Sequence, residues 1–441
     1  MQIPLLAACL GFLAATPVLA SGLVRDGHTA RTQALGGASV AVAQSPIEAM
    51  SSNPAALTEV ENRSLEASID AVLLRGTFSR SGEEDSRLRN RVNFLGDVAL
   101  AIPSGHSALR FGLSALPTFA ASTDWRYRDR EGGADGKTSY GEIDHHSEFL
   151  AYNFQAGFGV DLSSWLSFGA SAGAVYNHNA LQTAYVFQSQ KTLRSFKTRL
   201  DLDTEGYAPS AQLGVTIKPT SSLKLAAAYV APSKIESEGT AQADLSAQLQ
   251  SLGGGFAAVD PELKADAEVL TKLPQKVLLG AAWQITGKLL VTAEFDWVNW
   301  SAAFDELPVT LSNSSNTAVN GLVGSNRFTD VVPLGWRDQK IIRVGAEYEL
   351  NAFWTLRAGY SYSNEVVPSE TLTPLAAAID DSVAAAGVGF RQPGWHLDLA
   401  WQWHLPKTRT VSDSQLQTGE YSNSQVKVES HWVGLTYGVE F

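Results

Sequence analysis

Period-two alternation constrains this chain more than any other feature of its sequence. In Trp395-His-Leu-Asp-Leu-Ala-Trp-Gln-Trp-His-Leu405, one face carries Trp395, Leu397, Leu399, Trp401, Trp403 and Leu405, and the other carries His396, Asp398, Ala400, Gln402 and His404. An extended strand is what sends alternate side chains to opposite faces. The pattern recurs from Ile342 to Leu350 and from Trp354 to Ser363, and it closes the chain from His431 to Phe441. Alternation alone leaves two architectures open, a soluble sandwich with the apolar faces inward or a membrane barrel with them outward. Strands of about ten residues or more, Trp and Tyr gathered toward strand ends, and polar faces of mixed charge favour the barrel. Eleven Trp, twelve Tyr and eighteen Phe at a mean hydropathy of −0.06 suit strands with one apolar face and are too polar for helical spans. Beyond residue 20 no stretch approaches the roughly 18 apolar residues of a membrane helix.

Fourteen strands are expected, near 63–80, 91–102, 107–120, 148–162, 164–180, 195–218, 221–238, 263–286, 288–300, 337–350, 353–364, 382–391, 394–405 and 426–441. The fold class is therefore all-β, a transmembrane antiparallel barrel, with the barrel domain at 63–441. An even count puts both chain ends on the periplasmic side. Tight turns belong there, and long loops near 122–146, 239–262, 301–336, 365–381 and 406–425 belong outside the cell. Phe441, terminal and on an apolar face, resembles the assembly signal of outer-membrane barrels, which implies the barrel assembly machinery as a partner. The net charge of −12 argues against nucleic acid, which needs a surplus of Lys and Arg.

The amino terminus reads differently. Residues 1–20 contain no charged side chain, and an apolar run from Leu5 to Ala15 precedes Val18-Leu-Ala20, a small-residue cleavage site that makes Ser21 the expected mature end. The uncharged n-region departs from the usual signal peptide. Leu6-Ala-Ala-Cys9 resembles a lipoprotein box, but Cys9, the one cysteine, lies too near the start to leave a full apolar region before it. Removal of the signal peptide would leave a chain without disulfides.

Residues 21–62 then form a compact, nearly uncharged segment expected to plug the barrel. Gly36 and Gly37 permit left-handed backbone, Ser45-Pro-Ile-Glu48 reads as a capping box starting about one helical turn at Pro46, and Asn53-Pro54 ends it. An ordinary terminal loop on a soluble domain is the alternative for these residues alone.

Chemistry is sparse. Asp144-His-His-Ser147 is the one cluster of catalytic or ligating types; adjacent side chains of an extended segment diverge, and a solvated loop is expected there. His396, Asp398 and His404 share the polar face of one strand and are expected to line the lumen. With no phosphate loop, zinc spacing or nucleophile elbow, no enzyme, cofactor or metal site is expected. Binding features are clearer. Leu245, Leu249, Leu252 and Phe256 give a loop helix an apolar stripe, suited to ligand capture, and Phe328 and Leu334 add apolar surface from another loop. A carboxylate ligand would need a cation, for which Arg337, Arg343 and Arg357 are candidates by position. Pro117 falls inside the third strand, where it removes a ladder donor and marks a bulge or edge, with Gly112 nearby.

The small-residue segment running into Asn53-Pro54-Ala55 resembles the hatch of the FadL family of outer-membrane transporters (OMPP1/FadL/TodX type), which carry long-chain fatty acids and other hydrophobic compounds. Leu273-Pro-Gln-Lys-Val-Leu-Leu-Gly280, Trp297-Val-Asn-Trp300 followed by Phe304, Trp336-Arg-Asp338 and Trp354-Thr-Leu-Arg-Ala-Gly-Tyr360 extend the resemblance over most of the chain. Ala56 departs from it, standing where many relatives have Gly. The resemblance implies an outer-membrane location among lipids and lipopolysaccharide, and passive uptake of a hydrophobic small molecule. It also implies a hatch that moves at Asn53, Pro54 and Ala55, and lateral exit at a kink in the third strand. A hatch of some forty residues is far smaller than the plugs of energy-coupled transporters, so no inner-membrane energy-coupling partner is expected. The alternative is a structural or receptor barrel binding surfaces or phage through its loops.

Overall fold

The computed structural model describes residues 24–89, 92–105 and 108–441. The signal peptide at 1–20, Ser21 and Cys9 lie outside them. Fourteen antiparallel strands close a barrel. They are β1 (Ser64–Arg80), β2 (Val92–Pro103), β3 (Leu109–Arg128), β4 (Glu142–Ser163), β5 (Leu166–Val186), β6 (Lys197–Thr220), β7 (Leu223–Val230 and Ser233–Asp244), β8 (Glu262–Leu273 and Lys276–Thr286), β9 (Leu289–Val298), β10 (Gln339–Glu349), β11 (Trp354–Ser363), β12 (Ser382–Gln392), β13 (Trp395–Val411) and β14 (Ser424–Glu440). Closure comes from β1 against β14, paired from Ser64↔Glu440 to Arg80↔Ser424. Pro232 and Pro274, which cannot donate to a ladder, fall at the breaks within β7 and β8.

The apolar faces point out. Leu397, Leu399 and Trp401 are 39–47% exposed while Asp398, Gln402 and His404 on the alternate face are buried. That is the arrangement of a barrel wall in lipid, and the opposite of a sandwich.

Above this band the alternation inverts, and the expected boundaries move. Trp125 and Tyr127 face inward and buried, with Arg126 and Arg128 exposed between them. Consequently β3 runs on to Arg128 and β4 begins at Glu142, and the solvated loop expected at Asp144–Ser147 is strand. Strands that project beyond the bilayer meet water on the outside and apolar contacts on the inside. The expected loop 301–336 likewise holds a hairpin, Glu306–Ser312 with Phe328–Pro333, added to the outer half of β8, and a helix, Thr317–Val323.

Within the barrel sit α1 (Ala30–Ala34), α2 (Pro46–Ser52) and a 3-10 turn, Pro54–Glu59. The expected capping box at α2 does not form. Ser45 donates instead to Glu66 at 2.7 Å, because Glu48 is drawn to Arg31 at 3.0 Å; the helix runs seven residues rather than one turn. A reciprocal cap occurs at α1, between Thr29 and Thr32.

A girdle of glycines makes room for this hatch. A Cβ on Gly169 would strike the Ala55 amide, one on Gly214 the Asn53 side chain, one on Gly280 Val40, and one on Gly359 the backbone of Gly36. Gly36 itself has φ +69°, so both partners of that last contact must lack a side chain. Three lumenal arginines, Arg25, Arg31 and Arg343, lock the hatch to the wall, and a fourth, Arg357, shares a wall carboxylate with Arg31. Arg25 pairs with Asp70 and Asp97, Arg31 with Glu48 and Glu347, Arg343 with Asp26 and Asp296, and Arg357 with Glu347 and Asp398.

Candidate ligand cavity and lateral exit

An apolar cavity of about 280 Å³ lies in the outer half of the barrel. An engineered apolar cavity of about 150 Å³ already holds benzene, so a small hydrocarbon fits here. Its wall includes Phe149, Leu181, Leu202, Val309, Phe328 and Leu334. Three carboxylates, Glu148, Asp330 and Glu420, also line it, and among the described residues no lysine, arginine or histidine does. Each carboxylate has its own protein partners. Asp330 accepts the amides of Gln188, Ser189 and Gln190 at 2.7–2.8 Å, Glu420 holds Lys197 at 3.0 Å, and Glu148 meets His178 at 2.8 Å.

The floor is aromatic. Trp300 stacks on Phe304 at 5.0 Å, Trp336 packs edge-on against both, and Phe119 lies 5.5 Å from Trp300. Below Phe119, the Lys276 ammonium sits 4.3 Å from the ring centre, outside the cavity.

Phe119 borders an opening in the wall. The ladder between β2 and β3 runs only from Pro103↔Arg110 to Val98↔Ala115. Among the described residues, the next backbone bond between these edges is Arg89 N–H to the Asp124 carbonyl, 2.8 Å. Among the described residues, 92–97 therefore face 116–121 with no ladder pairing across the gap. Pro117 causes this on the β3 side: the β3–β4 register slips between Pro117 and Phe119, leaving one extra residue, as a bulge does. The window is filled. Val24 pairs with Phe119, Arg25 donates to the Pro117 carbonyl at 3.2 Å, and the Tyr152 hydroxyl of β4 donates to the Gly96 carbonyl of β2 at 2.9 Å. Just below, an apolar groove between Leu100, Leu113 and Phe154 opens on the outer wall.

The structure brings some expected site residues together and separates others. Phe328 and Leu334 line the cavity. Leu245 and Leu249 are buried with Leu202, Leu263, Val319 and Phe328 behind its wall; Leu252 ends the helix Ser246–Leu252 half-buried, and Phe256 is exposed on a separate turn. Pro117 is at the window. Gly112 lies below it, in the paired ladder, against Met50 and Leu57 of the hatch. Asn53, Pro54 and Ala55 sit away from the window against β5 and β6. The Asn53 amide donates to Val40 and Thr216 at 3.0 and 2.9 Å, and its oxygen accepts the Ala55 amide at 3.1 Å. Arg343 is spent on Asp26 of the hatch, Arg357 on the wall carboxylates Glu347 and Asp398, and Arg337 is exposed. His145 and His146 diverge: His145 is buried, stacked on Tyr127 at 3.7 Å and bonded to Thr183 at 2.8 Å. Sequence reasoning missed Val24, Arg25, Asp97 and Tyr152, whose only local signal is a charge on an inward position of β2.

A closed outer-membrane barrel with an internal hatch, an apolar cavity and a filled window in its wall defines a channel for hydrophobic compounds. The chain belongs to the outer membrane protein transport protein family (OMPP1/FadL/TodX), whose model matches residues 11–441. The fold is similar to the Ralstonia pickettii toluene transporter TbuX (20% identity, 94% of this chain and 99% of that one, TM-score 0.72). It is also similar to a Pseudomonas aeruginosa FadL homologue (15%, 97% and 100%, 0.74) and to the Pseudomonas putida toluene transporter TodX (19%, 94% and 99%, 0.72). No curated protein matches the sequence. The family is one of transport channels, and uptake of hydrophobic compounds across the outer membrane is its business.

Proposed function

We propose that this protein is a passive channel for uncharged hydrophobic small molecules, such as alkylbenzenes, rather than for carboxylates. The cavity lining carries this reading, since its charged groups are all acidic and an anion would be repelled where the dielectric is low. Two structural relatives are named as toluene transporters, which supports it. Leu252 and Phe256 offer the first apolar surface outside, with Leu245 and Leu249 holding that loop in place. Ligand enters the cavity beside Phe328 and Leu334 and leaves through the window at Pro117, above Gly112, into the bilayer. Exit into water would cost about 0.8 kcal/mol per methylene, and lateral exit avoids most of that. Movement starts at residues 24–28, with the Asn53-Pro54-Ala55 turn as the fixed pivot of the hatch.

The test uses Val24→Cys with Phe119→Cys, which face each other as a bridge pair at a spacing a disulfide can span. Oxidation should abolish alkylbenzene uptake in cells lacking the native protein, and reductant should restore it. Uptake persisting through the lock would refute lateral exit. Normal uptake in a deletion strain that has lost phage or surface binding would favour the receptor alternative.

A further inference from the structure

The outward face of the barrel just above the membrane band is divided by charge. On β1, Leu73 is exposed and lies opposite His431, which stacks between Trp401 and Trp403 at 5.9 and 6.2 Å. Such an aromatic level marks the outer edge of the apolar band. Arg75 is the next outward residue above Leu73. One step higher, Thr77 is flanked by Lys427 of β14 on one side and Arg87 on the other. Arg128 projects from the end of β3 nearby. None of these four cations is ion-paired among the described residues, although Arg75 lies opposite Glu429 and Arg128 opposite Glu142 in the ladders. Arg89 and Arg126 lie among them but share Asp144, and Arg126 also holds Glu142 at 2.7 Å.

Across the barrel, at the same step above an exposed tyrosine, Tyr207, the sign reverses. Glu205 of β6 lies opposite Glu238 of β7, which lies opposite Glu268 of β8, the last held by Arg327 at 3.4 Å. Like charges side by side are unfavourable, and scattered mixed charge is the usual surface of a soluble face. Two sectors of opposite sign at one height therefore need an external field to answer to, and the phosphates of the outer leaflet lie at that height.

We propose that the arc formed by Arg75, Arg87, Arg128 and Lys427 docks the phosphorylated glycolipid headgroup of the outer leaflet. Lys427 and Arg87 stand two strand spacings apart, about 10 Å, so phosphates of one headgroup can be held from both sides. The arc caps the wall sector that contains the β2–β3 window, so the bound lipid's acyl chains hang beside the opening. The acidic sector over β6 to β8 leaves that side unfavourable and fixes which side the lipid takes.

Native mass spectrometry of the folded protein in detergent tests this with three probes: diphosphoryl lipid A, dephosphorylated lipid A and inorganic phosphate. Diphosphoryl lipid A should bind at least ten-fold more tightly than the dephosphorylated form, more weakly as salt rises, and at least ten-fold more weakly to Arg75→Gln/Arg87→Gln/Arg128→Gln. Glu205→Gln/Glu238→Gln/Glu268→Gln should retain it. Equal binding of dephosphorylated lipid A, loss of lipid binding in competition with millimolar inorganic phosphate, or an arginine variant within two-fold of wild type would overturn the proposal. Should the triple variant fail to show a heat-dependent gel shift, Lys427→Gln and the wild-type comparison of the two lipids decide it.

Discussion

Arg25 Nη1 lies 3.0 Å from both carboxylate oxygens of Asp97, joining the start of the hatch to β2 along the free edge of the wall. The same nitrogen donates to the Pro117 carbonyl on the other edge, so a single guanidinium spans the gap that the backbone leaves open. Removing one partner of a buried pair strands the other, at about 3–5 kcal/mol. Arg25→Ala should therefore loosen residues 24–28 while the barrel still assembles, raising both amide exchange there and the rate of alkylbenzene uptake. Unchanged exchange and uptake would remove Arg25 from the gate.

Charge selectivity is the second prediction. Lys276 lies beneath the aromatic floor, and a carboxylate could reach it only past Phe304, Trp300 and Phe119. An alkylbenzene should bind the purified protein at least ten-fold more tightly than a fatty acid of similar length at neutral pH, and Lys276→Met should leave its binding unchanged. Fatty-acid binding that is tighter and collapses in Lys276→Met would show that the ligand is an anion seated below the floor.

Much of this was readable from residues, and the limits were physical. Alternation is plain in Trp395–Leu405 because lipid demands an apolar outer face. The same face becomes charged at Arg126 and Arg128 once the strand leaves the bilayer, so those outer segments look like loops. The hatch shows itself by its small residues. The window's closure does not, since Arg25 finds its partners 45 and 72 residues away at Asp70 and Asp97. In the loops, Phe328 and Leu334 were readable as apolar, but which leucines of 245–252 face a cavity and which pack behind it depends on strands β6 and β8.

The glycine girdle yields a third prediction. A side chain at Gly214 would meet Asn53, whose amide is already fully engaged, and overpacking of this kind costs about 1–3 kcal/mol. Gly214→Val should leave the barrel assembled but unseat the hatch, exposing residues 40–55 to protease added from the periplasmic side. Full protection would mean the hatch tolerates the extra volume.

Phe441 is 66% exposed, and its amide donates to the Arg63 carbonyl at 2.8 Å, so its side chain is free for recognition during assembly. Deleting it should lower the amount of heat-modifiable protein in outer membranes several-fold, with little change in the thermal stability of what assembles. Normal levels would count against a role in delivery.

The last prediction concerns pH and the loops above the cavity. Glu420, between β13 and β14, holds Lys197 at 3.0 Å, and the same ammonium holds Asp129 at 2.6 Å. Burial, with Asp129 close by and Lys197 pulling the other way, pushes the Glu420 carboxyl up from 4.5 to about 7. Between those values the folded protein keeps a proton that the unfolded chain has released. Folding then binds more protons, so stability falls as pH rises. The contribution is complete below pH 4.5, declines through the interval and is gone above about 7. Amide exchange at 414–424, corrected for its intrinsic pH dependence, should thus show tighter loops at pH 5 than at pH 8, with the loss levelling off near 7. Glu420→Gln, which cannot ionise, should flatten the profile. Loops that tighten with rising pH, or a pH dependence that survives in Glu420→Gln, would show that another group governs them.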